Sequence, residues 1–244
     1  MNSTPPRTLV LIPAYNEAPE LPAVLEAISR SLPGCDRLVI DDGSTDTTAA
    51  VARESGTTVV SHLFNMGYGT ALQTGYKYAV LNGYRFILQM DADGQHDARY
   101  LPDLLAVLAS GEADVVIGSR RLGESAGQWP FIRRAGMKVF SMLTSLCTGQ
   151  RITDPTSGFK GFEQTTFSFL TSDYFPDDYP DADVIIMLNR LGFRIREIPV
   201  TMKPPAGEQS MHSGIKPLYY IFKMTFSILL TLLRTRKQEK IPCR

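Results

Sequence analysis

The sequence is poor in cysteine and has no excess of charge of either sign. Its 244 residues include 25 basic and 25 acidic side chains, so net charge gives no electrostatic reason to expect nucleic-acid binding. The three cysteines, Cys35, Cys147 and Cys243, are widely separated, which argues against a disulfide framework and favours a reduced, intracellular protein. Residues 1–7 are polar and lack the apolar core of a secretory signal.

Two common nucleotide-binding motifs are also missing. The glycines on either side of Tyr68 follow the third predicted strand, and they lack the third glycine of the dinucleotide fingerprint. The lysine motif of the P-loop is absent from the sequence. These absences argue against a dehydrogenase and against a P-loop ATPase.

The chain does contain an alternation of predicted strands and helices. Apolar runs predict strands at residues 8–12, 37–40, 57–60, 86–90, 113–117 and 193–198. Helices are predicted at 19–32, from a cap within 44–46 up to 54, and at 70–81, 100–109, 131–147 and 183–191. This alternation predicts an α/β fold with a mainly parallel central sheet that is flanked by helices.

Two carboxylates follow the strand predicted at residues 86–90. Asp91 and Asp93 are separated by one residue, and Gly94 and Gln95 come next. In a parallel α/β sheet, ligands bind beyond the carboxyl ends of the strands. Proteins typically hold Mg²⁺ with one or two carboxylates together with substrate phosphates. The pair therefore predicts a divalent-metal site, and the alternative is an acidic surface turn.

Three further loops are expected at the same sheet edge as Asp91. They cover residues 13–17, 41–46 and 65–69. Glu17 and Asp42 could accept hydrogen bonds from the base and ribose of a nucleotide, and Tyr15 could stack on the base. Alternatively, Asp42 and Asp46 only cap a helix.

A sugar nucleotide suits these residues, because a cation at Asp91 and Asp93 would neutralise charge developing on the diphosphate as the glycosidic bond breaks. Arg120 could add a fixed cation, or it could be an ordinary surface arginine. Asp154 and Asp183 are candidate general bases, although Asp154 could merely begin a turn and Asp183 could be an N-terminal helix charge. An acceptor hydroxyl would need such a base, whereas an acceptor phosphate is already anionic and needs only positioning.

The last segment has the pattern of an amphipathic helix. Leu, Ile, Phe and Tyr dominate residues 215–233, and the polar residues fall on one stripe: Lys223, Ser227, Thr231 and Arg234. The longest charge-free run here is ten residues, whereas a spanning helix needs about 20. We expect a helix in the membrane interface, with packing on the protein's own core or on a second copy as the alternative. Residues 1–203 would then form the catalytic domain, and 204–244 a membrane-associating or oligomerising segment.

Six motifs together resemble the family 2 inverting glycosyltransferases of the GT-A fold. They read PAYNE, VIDDGSTD, NMGYGTA, MDADGQ, VVIGSR and DPTSGF, and they begin at Pro13, Val39, Asn65, Met90, Val115 and Asp154. The set covers about residues 9–200 in the family's order, and it is specific although each motif alone is weak. The closest likeness is to the branch that contains dolichol-phosphate mannosyltransferase and bacterial polyprenyl-phosphate glycosyltransferases.

The resemblance implies a UDP- or GDP-sugar donor and a divalent cation, Mg²⁺ or Mn²⁺. The implied metal ligands are Asp91, Asp93 and Gln95. The implied donor-binding residues are Pro13, Ala14, Tyr15, Glu17, Ile40, Asp42, Asp91, Ala92, Gln95, Arg120, Lys203 and His212. The implied catalytic residues are Asp93, Asp154, Asp183 and Arg120.

The chain departs from the family pattern at two places. Tyr68 stands where many relatives carry a lysine. After the last strand, the chain lacks the Arg and Lys that flank a Gly-Glu-Ser piece in close relatives. Phosphate contacts would then fall to Lys203, His212 or Lys216.

The leading hypothesis is an inverting transferase that moves a sugar from a nucleotide to a polyprenyl or dolichyl phosphate at the cytoplasmic face of a membrane. The alternative acceptor is a hydroxyl group of a polysaccharide or glycolipid. A nucleotidyltransferase is disfavoured because its glycine-rich basic first loop is missing. A non-catalytic nucleotide-sugar binder is disfavoured by the intact Asp91 and Asp93 pair. The chain could also self-associate as a homo-oligomer.

Overall fold

The computed structural model describes residues 7–123, 131–173, 175–176, 180–203 and 216–234. These residues contain seven strands, which are β1 (Thr8–Ala14), β2 (Asp36–Asp41), β3 (Thr58–Ser61), β4 (Phe86–Gln89), β5 (Val115–Ser119), β6 (Lys160–Glu163) and β7 (Ile195–Pro199). The helices are α1 (Leu21–Ser31), α2 (Thr48–Glu54), α3 (Tyr68–Leu81), α4 (Leu101–Ala109), α5 (Phe131–Thr148), α6 (Gln164–Phe169), α7 (Ala182–Arg190) and α8 (Lys216–Arg234), and a 3₁₀ turn covers Ala98–Tyr100.

All seven strands form one sheet in the order β3-β2-β1-β4-β6-β5-β7. The pairs β1–β2, β1–β4, β2–β3 and β5–β7 are parallel. Only β6 runs the other way, and it is antiparallel to both β4 and β5. The predicted α/β class and the mainly parallel sheet are therefore confirmed, and the loops after β1, β2, β3 and β4 lie at one edge.

The predicted strands and helices are present, with ends that differ by one or two residues. Two elements, β6 and α6, were not predicted from the sequence. Strand β6 is four residues long and begins with a buried lysine, Lys160. It therefore lacks the apolar run or the alternation that marks a strand in a sequence. Its place in the sheet comes from long-range pairing, since Lys160 is opposite Gln89 of β4 and Ile117 of β5.

The sheet separates two hydrophobic cores. Val10 and Ile12 of β1 point to the side of α1 and α4, and Leu9 and Leu11 point to the side of α3 and α7. This division follows from the two-residue period of a strand. Helix α3 lies very close to β1 at Gly75, where an added Cβ would be only 2.2 Å from Cδ1 of Leu11.

The C-terminal helix α8 packs on α7 and α5. Its buried residues Met224 and Ile228 share a small cluster with Ile186 of α7 and Phe140 of α5. Ser227 belongs to the polar stripe described above, and in the structure it contacts Asp183 of α7. On this face of α8, the alternative of packing on the protein's own core is therefore correct. None of the helices in the described parts of the chain combines the length and the apolar character needed to cross a membrane.

Candidate active site

The loops after β1 and β2 are joined by hydrogen bonds between backbone N–H groups and side-chain oxygens. The backbone N–H of Asn16 donates to Ser44 Oγ at 2.9 Å, and that of Glu17 donates to Thr48 Oγ1 at 2.9 Å. In return, Thr45 N–H donates to Asn16 Oδ1 at 2.8 Å. Because both strands end at the same edge, these contacts fix the position of Glu17 beside the carboxylates that follow β4.

Asp42 anchors the glycine loop that precedes α3. Its Oδ1 accepts from the Met66 N–H at 2.9 Å and lies 2.7 Å from His62 Nδ1, and its Oδ2 accepts from the Gly67 N–H at 2.9 Å. Asp42 is buried, so these protein contacts provide the partners that a buried carboxylate requires. Of the two acidic residues expected as helix caps, Asp46 accepts from the first N–H of α2, on Thr48, at 2.9 Å.

Asp91 and Asp93 follow β4 at the centre of this edge. The Tyr68 hydroxyl donates to Asp91 Oδ1 at 2.8 Å, and the Gln95 N–H donates to Asp93 Oδ1 at 3.0 Å. The Gln95 side-chain amide also donates to Asp93 Oδ2. Gln95 thus holds Asp93 in place through both its backbone and its side chain.

The electrostatics of this pair fit a hard cation. Burial is the main cause that raises the pKa of Asp91 and Asp93, and for Asp93 the neighbouring Asp91 adds to it. Burial and the charge of Asp93 raise the pKa of Glu17 to about 7. In the described parts of the chain, no three His, Cys, Asp or Glu side chains converge as a metal cage. Two carboxylates would leave coordination positions of a bound cation open for substrate phosphates.

His96 supports Asp91 as a neutral side chain. Its Nδ1 accepts the Asp91 N–H at 3.1 Å, which leaves the proton on Nε2, 3.6 Å from Asp91 Oδ2. Burial lowers the pKa of His96 to about 4. The ring stacks on Phe159, with 5.1 Å between the centroids.

Arg120 and Asp154, two of the predicted catalytic residues, form a buried ion pair with each other. Arg120 Nε donates to Asp154 Oδ2 at 2.7 Å, and Nη2 donates to Oδ1 at 2.6 Å. Only 7% of Arg120 and none of Asp154 is exposed. The alternative of an ordinary surface arginine is therefore wrong.

Asp183, the other predicted base, is also buried, with 3% exposed. Its Oδ1 accepts from the N–H groups of Val184 at 2.8 Å and Asp181 at 3.1 Å, and its Oδ2 accepts from the hydroxyl of Ser227 in α8. Burial raises the pKa of Asp183. The last helix is therefore in direct contact with a predicted site residue, which the sequence pattern alone did not suggest.

Lys160 is a charged residue of this region that was not predicted from the sequence. It is buried at the start of β6, with Nζ 3.3 Å from the Pro180 oxygen and 3.9 Å from Asp181 Oδ1. Burial lowers the pKa of Lys160, and the nearby Asp181, Asp183 and Asp91 act in the opposite direction. Lys160 carries no local signal of a strand, because its strand partners Gln89 and Ile117 are about 70 and 40 residues away in the chain.

The remaining predicted donor-binding residues fall in three places. Pro13 and Ala14 end β1, where Pro13 pairs with Ile40 of β2, and the half-exposed Tyr15 follows directly. Ala92 is buried between the two aspartates. The Lys203 N–H donates to the backbone carbonyl oxygen of Gln95 at 2.9 Å, which ties the segment after β7 to the loop that carries Asp91 and Asp93. His212 lies outside the described residues.

The fold is the α/β fold of the GT-A type. The chain superimposes on glucosyl-3-phosphoglycerate synthase from Mycobacterium tuberculosis, solved with Mn²⁺ and UDP-glucose, with a TM-score of 0.69. That match covers 93% of this chain and 79% of the other at 22% identity, a likeness of fold. The sequence defines the family: residues 9–170 match the model of glycosyl transferase family 2, and the chain belongs to this family of enzymes.

Two similar proteins have names that specify a lipid phosphate. The chain is 33% identical to the undecaprenyl-phosphate mannosyltransferase of Micrococcus luteus over 218 residues, which are 86% of this chain and 89% of the relative. It is 30% identical to the dolichyl-phosphate hexose transferase of Haloferax volcanii over 203 residues, which are 83% of this chain and 85% of the relative. The predicted resemblance to the polyprenyl-phosphate branch is thereby confirmed.

The buried pair of Arg120 and Asp154 predicts a large loss of stability when one partner is removed. We expect Asp154→Ala to lower the free energy of unfolding by about 3–5 kcal/mol, because the buried Arg120 guanidinium loses the carboxylate that neutralises it. The double variant Arg120→Met, Asp154→Leu should regain much of this loss. Urea unfolding measures the free energy of unfolding of both variants. The control is Glu26→Ala, because Glu26 pairs with Arg30 on the surface of α1. Loss of this exposed pair should lower the free energy of unfolding by less than about 1 kcal/mol. Equal losses for Asp154→Ala and Glu26→Ala would show that the buried pair stabilises the fold no more than a surface pair does.

Proposed function

We propose that this family 2 enzyme is an inverting transferase that moves a sugar from a UDP- or GDP-sugar to a polyprenyl or dolichyl phosphate, with Mg²⁺ or Mn²⁺ as cofactor. Its similarity to two transferases named for lipid phosphates supports the acceptor. The carboxylate pair after β4 supports the cation, since Asp91 and Asp93 form no ion pair with a lysine or arginine among the described residues.

Asp91, Asp93 and the amide oxygen of Gln95 would hold the cation. When bound, Mg²⁺ or Mn²⁺ offsets negative charge on the departing diphosphate. Pro13, Ala14, Tyr15 and Ile40 would form the donor side of the edge, and Glu17 and Asp42 would accept hydrogen bonds from the nucleoside. The N–H groups of Met66 and Gly67 in the glycine loop already fix the position of the Asp42 carboxylate.

One observation favours an acceptor phosphate over an acceptor hydroxyl. A hydroxyl acceptor needs a general base with access to the reacting proton. The two predicted bases are fully engaged within the protein, Asp154 by the guanidinium of Arg120 and Asp183 by Ser227 and two backbone N–H groups. A phosphate acceptor is already ionised, so it can attack without losing a proton in the same step. We therefore assign Asp154 and Asp183 to positioning, with Arg120 held by Asp154 close to the phosphates.

This assignment predicts a mild effect of Asp183→Asn. We expect turnover with polyprenyl phosphate to stay within about tenfold of the wild type, whereas loss of a general base costs about 10²–10⁴-fold. The asparagine retains the oxygen that accepts from the backbone, and Ser227 can accept from its amide. Steady-state rates across pH 6–9 measure this, and a hundredfold loss at all pH values would show that Asp183 acts as a general base and not by positioning alone.

Removing Asp93 should stop the transfer reaction. We expect Asp93→Ala to lower nucleotide release from the preferred donor at least about a hundredfold, because stabilisation by the cation contributes several kcal/mol. The measurement is nucleotide release from a panel of UDP- and GDP-sugars with Mg²⁺ or Mn²⁺, with and without polyprenyl phosphate. The control is Asp103→Ala, which removes an exposed carboxylate on α4. Normal rates for Asp93→Ala at saturating Mg²⁺ would refute the metal assignment.

The same panel separates the remaining functions. Metal-dependent release that accelerates with polyprenyl phosphate supports the proposal, and acceleration only by a glycan or glycolipid supports the alternative acceptor. Binding without release would indicate a non-catalytic nucleotide-sugar binder.

The outer face of α8 supports peripheral membrane contact. Phe226, Leu229 and Leu233 are each more than half exposed, on the side opposite Met224 and Ile228. Helix α5, which packs on α7 beside α8, exposes its own stripe of Val139, Met142 and Leu146. A lipid-phosphate acceptor reaches the enzyme from a bilayer, so we propose that this face lies in the interface at the cytoplasmic side. Residues 1–203 would be the catalytic domain, and the segment from 204 onward the membrane contact.

Polar residues on this face should weaken membrane binding. We expect the triple variant Phe226→Ser, Leu229→Ser, Leu233→Ser to bind vesicles containing anionic lipid at least about tenfold more weakly, because three apolar side chains lose their burial in lipid. Vesicle co-flotation measures this. The control is Val80→Ser, Leu81→Ser, which changes exposed apolar residues at the far end of α3. Unchanged flotation together with loss of a dimer would identify a second copy of the chain as the partner of this face.

A further inference from the structure

We propose that Tyr68 is a positioning residue of the metal site, whose hydroxyl holds Asp91 Oδ1 in the orientation in which the carboxylate binds a divalent cation. The inference rests on the proposed function, because it takes Asp91 to be a metal ligand.

The chemistry of the neighbouring groups fixes the direction in which Tyr68 donates its proton. The Gln89 amide nitrogen lies 3.0 Å from the Gly158 carbonyl oxygen, which can only accept, so the NH₂ group faces that way. The same nitrogen donates to Tyr68 Oη at 3.1 Å, while the Gln89 oxygen accepts from the Tyr76 hydroxyl at 2.7 Å. Since Gln89 provides a donor, the Tyr68 proton must go to an acceptor, and Asp91 Oδ1 lies 2.8 Å away.

The other side of the Asp91 carboxylate is confined by packing. A Cβ added at Gly158 would lie 2.6 Å from Asp91 Oδ2, so only a glycine allows the carboxylate to lie against this turn. The Asp91 backbone is held by its N–H bond to His96 Nδ1 at 3.1 Å. The hydrogen bond from the Tyr68 hydroxyl therefore decides how the carboxylate is rotated between these contacts.

The position of Tyr68 is itself determined by the glycine loop. It is the first residue of α3, directly after Gly67, which has a positive φ of 96° and donates its N–H to Asp42. A non-glycine residue at this φ would be strained. Asp42, which the sequence assigns to the nucleoside, thus also sets the start of the helix that carries Tyr68 towards Asp91.

A hydrogen bond of this kind affects metal affinity more than fold. Partners that orient a metal ligand typically contribute about 10–100-fold to affinity or activity. Replacing Tyr68 by phenylalanine retains the ring and removes one donor, and Gln89 keeps its bond to Gly158. We therefore expect the variant to fold normally and to bind the cation more weakly.

The test is Mn²⁺ binding by the purified full chain, followed by the loss of the free Mn²⁺ signal in electron paramagnetic resonance. We expect Tyr68→Phe to raise the Kd for Mn²⁺ about tenfold or more, with a thermal midpoint close to that of the wild type. The matched control is Tyr84→Phe, because the Tyr84 hydroxyl also donates to an aspartate at 2.8 Å, here Asp36 at the opposite edge of the sheet. Its Kd should equal that of the wild type.

The outcomes are distinct. A wild-type Kd in both Tyr68→Phe and a second variant, Tyr68→Met, would overturn the role of the hydroxyl while leaving the proposed function intact. Tyr68→Met also removes the hydroxyl, so its Kd for Mn²⁺ tests the same role if the phenylalanine variant does not fold. If the wild type itself binds no Mn²⁺ and Asp93→Ala is as active as the wild type, the metal site of the proposed function is wrong and this inference is wrong with it.

Discussion

A carboxylate that is buried away from water needs hydrogen-bond donors or a cation. The acidic residues at this sheet edge fall into two kinds, according to the partners that surround each carboxylate. Asp42 is held by backbone N–H groups and an imidazole, Asp154 by a guanidinium, and Asp183 by a hydroxyl and backbone N–H groups. These side chains stabilise loops and helix ends. Among the described residues, Asp91 accepts one hydrogen bond, from the Tyr68 hydroxyl, and Asp93 accepts only from Gln95, so both have lone pairs left for a cation. Burial is the main cause that raises the pKa of both, and Lys160 and Arg120 act in the opposite direction on Asp91.

That division also bears on the reaction. Because Asp154 and Asp183 are occupied by other contacts, these two predicted bases can position substrates but cannot readily remove a proton from them. The proposed phosphate acceptor requires only positioning. The proposed membrane contact follows the same logic, because the face of α8 that is opposite its exposed Phe226 and Leu229 places Ser227 against Asp183. Membrane contact and the organisation of the site would thereby be connected through one helix.

The two halves of the sheet are joined by the strand that the sequence did not reveal. β6 inserts between β4 and β5 in the opposite direction, and its first residue, Lys160, lies beside Gln89 at the edge that carries the aspartates. The turn before it contains Gly158, which contacts both Asp91 and Gln89. The last of the six motifs, which begins at Asp154, therefore supports the aspartate pair from the neighbouring strand.

Much of the fold was predictable because its signals are local. Strands β1 to β5 follow apolar runs, and α1 and α3 follow helical spacing, so their order and the parallel sheet could be derived from the chain in sequence. The same logic placed Asp91 and Asp93 at the carboxyl edge. Tyr68, His96 and Lys160 were not identified as site residues, because their roles depend on strand register and side-chain direction, which no local pattern contains.

By itself, the sequence determined the class of fold, the loops that form the site and the residue types available for chemistry, since these depend on periodicity and on the order of the elements. Only the tertiary structure decided which carboxylates are consumed by other contacts. Asp154 was a candidate base until Arg120 was seen to hold both of its oxygens. The physical reason is that a hydrogen bond requires two groups within about 3 Å of each other, and residues 34 positions apart in the chain reach that distance only when the sheet is assembled.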